Sequence, residues 1–313
     1  MFLGRDSGSI ESCMLNPTAK ILKILKNTEI RALFFIDATF LLTLKKDYKK
    51  GFLVVKNQIL EILELGHDVG LHLHPHWVDS FMFSEGRWSF KKYDKFRIHS
   101  ISEQLRSDLI LDSYKQLSLI CKEYSQSYHI DSFRAGGWCV QPFNLIKNDL
   151  KSLGIKYDFS VLPGEKKDNL PMRFYDFSNS PNDQDFWRFE DDVIIEDNTG
   201  YFLEVPTTMV SMNIFNVFKL KKKLKGLEIS GNGKGVQEIQ GYKLLRILKK
   251  IRVNMRYTLS CDYMNVVSFK KNINNTRSNL VVITSHPKVF TSESYKVLKY
   301  IVRNFKQCDY RRL

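Results

Sequence analysis

Two apolar runs bracketed by helical patterns constrain this chain more than any other feature. Residues 30–36 read Ile-Arg-Ala-Leu-Phe-Phe-Ile and residues 68–73 read Asp-Val-Gly-Leu-His-Leu. Runs of this length without polar alternation are strands buried on both faces, as in a parallel sheet. Before them, Asn16-Pro17 reads as the cap and first turn of a helix with Ile21, Leu22 and Leu25 on one face. Between them, residues 52–65 carry a second helical repeat that Gly66 stops. Helix, strand, helix, strand implies right-handed crossovers and an α/β fold.

The alternation continues along the chain. Residues 100–103 form a capping box for a helix reaching Tyr124, with Leu105, Leu109, Leu117 and Ile120 facing inward. Strands are expected at 130–133, 155–159, 201–205 and 280–284, and helices at 142–153 and 292–305. Segments at about 77–99 and 163–199 show no clear period and read as loop insertions within a single domain spanning 1–313. The first of these mixes aromatic and basic residues, a composition that suits either sugar rings or a lid packing its own aromatics.

Chemistry concentrates at the ends of these strands. His72, His74 and His76 place three of the chain's seven histidines within five residues. His72 and His76 stand four apart, which lets two imidazoles converge on one cation. Pro75 holds His74 extended, so the cluster marks a strand end entering a turn, where α/β enzymes keep their sites. Asp37 closes the preceding strand, as a base or as the cap of the next helix. Arg134 follows the 130–133 strand and precedes Gly136 and Gly137, which permit close backbone approach, and Trp138, which can wall a pocket. His286 follows the 280–284 strand.

Several of these stretches resemble one family. Gly66-His67-Asp68-Val69-Gly70-Leu71-His72 with His76 is similar to the histidine motif of the polysaccharide deacetylases, the NodB-homology carbohydrate esterases. Phe133-Arg134-Ala135-Gly136-Gly137-Trp138 resembles their arginine motif, residues 155–160 the strand after it, and Ile283-Thr284-Ser285-His286-Pro287 their late histidine motif. The likeness runs from about Asp6 to His286. It implies a distorted or incomplete (β/α) barrel of mostly parallel strands with outer helices, and a metal-dependent hydrolase that removes an N-acetyl or related acyl group from an amino sugar.

The same resemblance assigns roles. Asp6, His72 and His76 would hold a divalent metal, zinc by preference, and His286 would protonate the departing amine. Arg134 would steady the catalytic base, while His74, Trp77, Gly136, Gly137 and Trp138 would line the substrate. In that family the first strand ends in two aspartates, the base and then a metal ligand. Here only Asp6 is present, Arg5 stands at the base position, and Asp37 or a residue missing from the start would supply the base. Only Met1, Phe2 and Leu3 precede this motif, a short first strand. The alternative is a catalytically inactive homologue that binds glycan or acts as a scaffold.

Composition narrows the partners. Hydrophobic residues at 43% and aromatics at 13% suffice for a large core. A net charge of +14 favours anionic partners such as phosphate groups, acidic glycans or an anionic membrane surface, and the lysine-rich run at 219–225 is either a solvated face or part of such a patch. Nothing resembles a nucleic-acid module. Five cysteines without CxxC spacing argue against a disulfide framework and suit a reducing cytoplasm. Residues 1–5 lead into polar residues rather than a signal-like segment, and no run approaches membrane-span length. The expected protein is cytoplasmic with at most peripheral membrane contact, and its substrate is a nucleotide- or lipid-linked precursor of surface polysaccharide. An iron facial triad is disfavoured because the residue two after His72 is His74 and not a carboxylate. An amidohydrolase HxH is disfavoured because His74-Pro75-His76 follows at least two helices.

Overall fold

The computed structural model describes residues 6–90, 94–169, 173–213, 220, 224, 226–232, 254–262, 264–276 and 278–313. Arg5 and nearly all of the 219–225 lysine run lie outside these residues.

The two apolar runs form strands β1 (Leu33–Asp37) and β2 (Asp68–Leu73), paired in parallel from Leu33 beside Asp68 to Asp37 beside His72. The chain continues through a hairpin of β3 (Ser80–Ser84) and β4 (Arg87–Phe90), then β5 (Ser132–Ala135) and β6 (Tyr157–Asp158). A second hairpin joins β7 (Lys166–Asn169) to β8 (Arg173–Asp176) and is followed by β9 (Trp187–Phe189) and β10 (Phe202–Glu204). Strands β11 (Met209–Asn213) and β12 (Asn254–Thr258) form a separate antiparallel pair. The main sheet has the order β1-β2-β5-β6-β10-β9 and is parallel except where β9 runs against β10.

The helices are α1 (Asn16–Leu25), α2 (Ala38–Asp47), α3 (Lys49–Glu64), α4 (Glu103–Tyr124), α5 (Lys147–Ser152), α6 (Val266–Asn274) and α7 (Ser292–Asn304). Their periodicity predicts their buried faces. Helix α3 buries Val55, Ile59, Ile62 and Leu63 and stops at Gly66, whose φ of +76° only glycine adopts freely. Helix α4 buries Leu109, Leu117 and Ile120, with Leu105 partly covered. The result is a mixed α/β architecture whose main core lies between the sheet and these helices. Among the described residues no helix is long and apolar enough to cross a membrane.

Several expectations change. Asn16 does not cap α1, because a π-helical turn at Glu11–Leu15 runs straight into it and Asn16 is itself helical. Buried Ile10 and Cys13 extend the apolar face upstream, so the helix propagates past the residue that local propensity would have made its start. Segment 77–99 is not a loop: β3 and β4 turn at Gly86, and Trp88 and Phe90 pack under the hairpin against Trp77. Only β4 is anchored while Phe81, Met82 and Phe83 stay exposed, which is why no single period appears. Segment 163–199 likewise holds the β7–β8 hairpin and β9 at the sheet edge.

Glu204 is interior, since β10 lies between β6 and β9. Residues 280–284 are not a strand. Three hydrogen bonds tie them to Thr208 and Leu259, both of which are outside regular strands, so no ladder forms.

Candidate active site

Strand register builds the first part of the site. Asp37 on β1 lies beside His72 on β2, and His72 lies beside Arg134 on β5, so three polar residues share one row near the carboxyl ends of three parallel strands. This row opens on a cavity of about 1260 Å³. Its polar wall includes Asp37, His72, His74, Arg134, Gly137, Trp138, Asp262 and His286, and its apolar wall comes largely from β1 and residues 280–283.

Three histidines are pinned in the same way. His72 Nδ1 donates to the Arg134 carbonyl at 2.6 Å, His74 Nδ1 to Asp37 Oδ2 at 3.0 Å, and His286 Nδ1 to Asp262 Oδ2 at 2.8 Å. A carbonyl and a carboxylate only accept, so in each neutral ring Nδ1 carries the hydrogen and Nε2 keeps a lone pair. Burial lowers the pKa of all three, most strongly for His72, where His74 and Arg134 add to the effect. Asp37 opposes the shift of His74, and Asp262 opposes that of His286.

Asp37 is heavily engaged. Its Oδ1 accepts from Thr39 Oγ1 at 2.6 Å, and its Oδ2 accepts from His74 and, at 2.8 Å, from Trp77 Nε1. Burial alone would raise its pKa, but His74, His72 and these hydrogen bonds outweigh it and hold the carboxyl well below the usual range. Although it stands at the N-cap of α2, its side chain makes no cap bond there. Asp37 therefore orients His74 instead of meeting water directly.

Arg134 is 6% exposed and lies with its guanidinium carbon 5.0 Å from the centre of the Trp138 ring. Burial lowers its pKa to about 10, opposed by Asp158 and Asp262, so it remains charged at neutral pH. Beneath it sits a buried acid pair. Asp158 accepts from Ser160 Oγ at 2.6 Å, and Glu204 accepts from the Val161 N–H at 2.9 Å. Burial and Asp158 push Glu204 well above the carboxylate range, and burial raises Asp158 too.

The remaining predicted residues divide between the cavity and the core beside it. His76 is buried among Trp77, Phe90 and Phe96, with Nδ1 lacking a hydrogen-bond partner, and it does not line the cavity. Trp77 is core rather than cavity wall: it packs on Phe40 and its indole N–H serves Asp37. Gly136 is a packing glycine, since a Cβ there would stand 2.3 Å from the Leu73 carbonyl oxygen. Gly137 has a φ of +62° and lines the cavity. Asp6 bridges to Ser89 and is not among the cavity residues.

The histidines fit a divalent metal in protonation state: His72 presents a neutral Nε2, and burial keeps His76 neutral with one orphaned nitrogen. Asp6 does not complete the set. Among the described residues no three His, Cys, Asp or Glu side chains form a metal-holding group.

Asp262 is the residue that sequence reasoning missed. It follows β12 in an irregular stretch with no period, 24 residues before the histidine it serves, and no local signal marks it. Compared with protein-family models, curated proteins and solved structures, the chain matches none.

Proposed function

We propose that this cavity hydrolyses the amide of an N-acylated amino sugar, and that the sheet is the wall of an incomplete (β/α) barrel of the NodB-homology type. One observation supports the reading above all: three imidazoles, each pinned at Nδ1 to an acceptor, keep Nε2 lone pairs at one cavity that also holds a buried arginine and an indole wall.

His74, oriented by Asp37, takes a proton from the attacking water. The charge that develops on the carbonyl oxygen would be met by nearby backbone N–H groups. His286, oriented by Asp262, is neutral at rest; it takes the second proton of the water from the hydroxyl of the tetrahedral intermediate and gives it to the amine nitrogen as the C–N bond breaks, while His74 returns its proton to solvent. Water is thereby split across the amide, leaving a carboxylate and a free amine. Trp138 offers a face for the sugar ring. A divalent metal, zinc by donor type, would be held by His72 and His76, as the resemblance assigns, and when bound would supply Lewis acidity to water and carbonyl.

The test is acetate release from N-acetylated amino sugars by the purified chain, run beside elemental analysis of bound metal. Acetate release that His286→Ala abolishes supports the proposal, and metal lost in His72→Ala supports the metal assignment. Sugar binding with no acetate release, with or without added zinc, would replace the hydrolase with a glycan-binding homologue.

A further inference from the structure

We propose that Arg134, Trp138 and Arg173 form an anion subsite that takes the phosphate or diphosphate group of an activated sugar; the inference deepens the hydrolase reading above and rests on it for the sugar. The two guanidinium carbons lie over the same indole, Arg134 at 5.0 Å and Arg173 at 5.7 Å from the ring centre. Among the described residues neither arginine has a carboxylate within ion-pair distance. Arg134 is 6% exposed and its Nε has no hydrogen-bond partner, and the Trp138 Nε1 beside it is also buried without one. A buried charge left in this state is costly unless something pairs with it.

Neither nearby acid pairs with Arg134: Asp262 is held by His286, and Asp158, bonded to Ser160, forms no ion pair with it among the described residues. The two acidic side chains lining the cavity, Asp37 and Asp262, are both bonded to histidines. The backbone is shaped to present the indole here, with Trp138 at a φ of +62°, a conformation that bulky residues adopt rarely. Arg173 arrives from the β7–β8 hairpin, which lies outside the main sheet. Guanidinium forks match phosphate oxygens in pairs, and two of them over one indole match a polyanion better than a single carboxylate. A neutral sugar would leave both unpaired.

Calorimetric titration of the full chain tests this with four probes: inorganic pyrophosphate, a uridine diphosphate N-acetylamino sugar, a prenyl diphosphate N-acetylamino sugar, and an uncharged methyl glycoside of the same sugar. Binding of pyrophosphate and of at least one diphosphate sugar is expected, weakened at least about tenfold in Arg173→Gln, the loss of one charge-assisted contact. Circular dichroism verifies that the variant is folded. Which diphosphate sugar binds tells a nucleotide carrier from a lipid one. The subsite is overturned if pyrophosphate does not bind, if Arg173→Gln binds it as well as the wild type, or if the methyl glycoside binds as tightly as both diphosphate sugars. Arg173-dependent anion binding without acetate release keeps the subsite and removes the hydrolase, whereas acetate release from the methyl glycoside without pyrophosphate binding does the reverse.

Discussion

Asp37 shares its carboxylate among three donors, Thr39, His74 and Trp77, whereas Asp262 spends both oxygens on a single residue, meeting the His286 ring and its backbone N–H, the latter at 3.0 Å. The first pair is bolted to the aromatic core beneath the β3–β4 hairpin. The second joins two irregular segments, and its imidazole is 35% exposed, against 15% for His74. One pair is thus built for fixed geometry, with its carboxylate serving structure as much as chemistry. The other leaves its ring free to exchange a proton with whatever enters the cavity.

Substitutions at the second pair should affect chemistry most. Asp262→Asn removes the acceptor that fixes the Nδ1–H form of His286, and kcat for amide hydrolysis should fall on the order of 10²- to 10⁴-fold. Thermal unfolding should move little. His286→Ala should cost as much, and the double variant hardly more than either, because the pair acts as a unit. Full additivity of the two losses in steady-state assays would break the comparison.

The next largest effect concerns pH and belongs to the buried histidines. Burial lowers His67 and His99 from 6.5 to about 4, and lowers His72 and His76 further. The unfolded chain then binds more protons than the folded one below about pH 6.5. Stability should fall as pH drops from about 6.5 towards 4, as measured by urea unfolding at several pH values. His76→Phe should flatten that slope, and an unchanged slope would show that His76 is not held neutral. The low pKa of Asp37 acts only below this window, because an unfolded aspartate titrates near 3.9.

Smaller effects follow at the first pair itself. Asp37→Asn weakens the bonds to Thr39, His74 and Trp77 and should destabilise the fold by about 2 kcal/mol, with hydrolysis reduced through misorientation of His74. Trp77→Phe keeps the ring packing on Phe40 and Phe90 but deletes the indole N–H, and should cost about 1 kcal/mol. Both are read from denaturant midpoints. If Asp262→Asn proved the more destabilising of the two aspartate variants, the assignment of structural and chemical duties would have to be exchanged.

Much of the first pair was legible before any coordinates. Asp37, His72 and His74 end adjacent predicted strands, and parallel neighbours bring their carboxyl ends to one row. Period and punctuation sufficed for β2, α3 and α4 because apolar faces repeat there at regular intervals. The hairpins were not legible, since only one strand of β3–β4 is buried and Gly86 alone marks the turn. The role of Trp77 was misread because an aromatic beside a histidine cluster looks the same in sequence whether it faces a ligand or the core. Asp262 and Arg173 left no trace, lying in an irregular stretch and at a hairpin end where no local repeat constrains the residue.

What the sequence determined by itself was the alternation of helices and buried strands, and with it the gathering of His72 and Arg134 at strand ends. Both follow from hydrophobic periodicity, a property of neighbours along the chain. Which nitrogen of each histidine stays open, which acceptor holds it, and that Asp6 bridges to Ser89 instead of lining the cavity were decided only by the tertiary structure. Hydrogen bonds and burial join residues from 24 to 62 positions apart here, and those distances close only when the sheet, the hairpins and the 280–284 segment pack together.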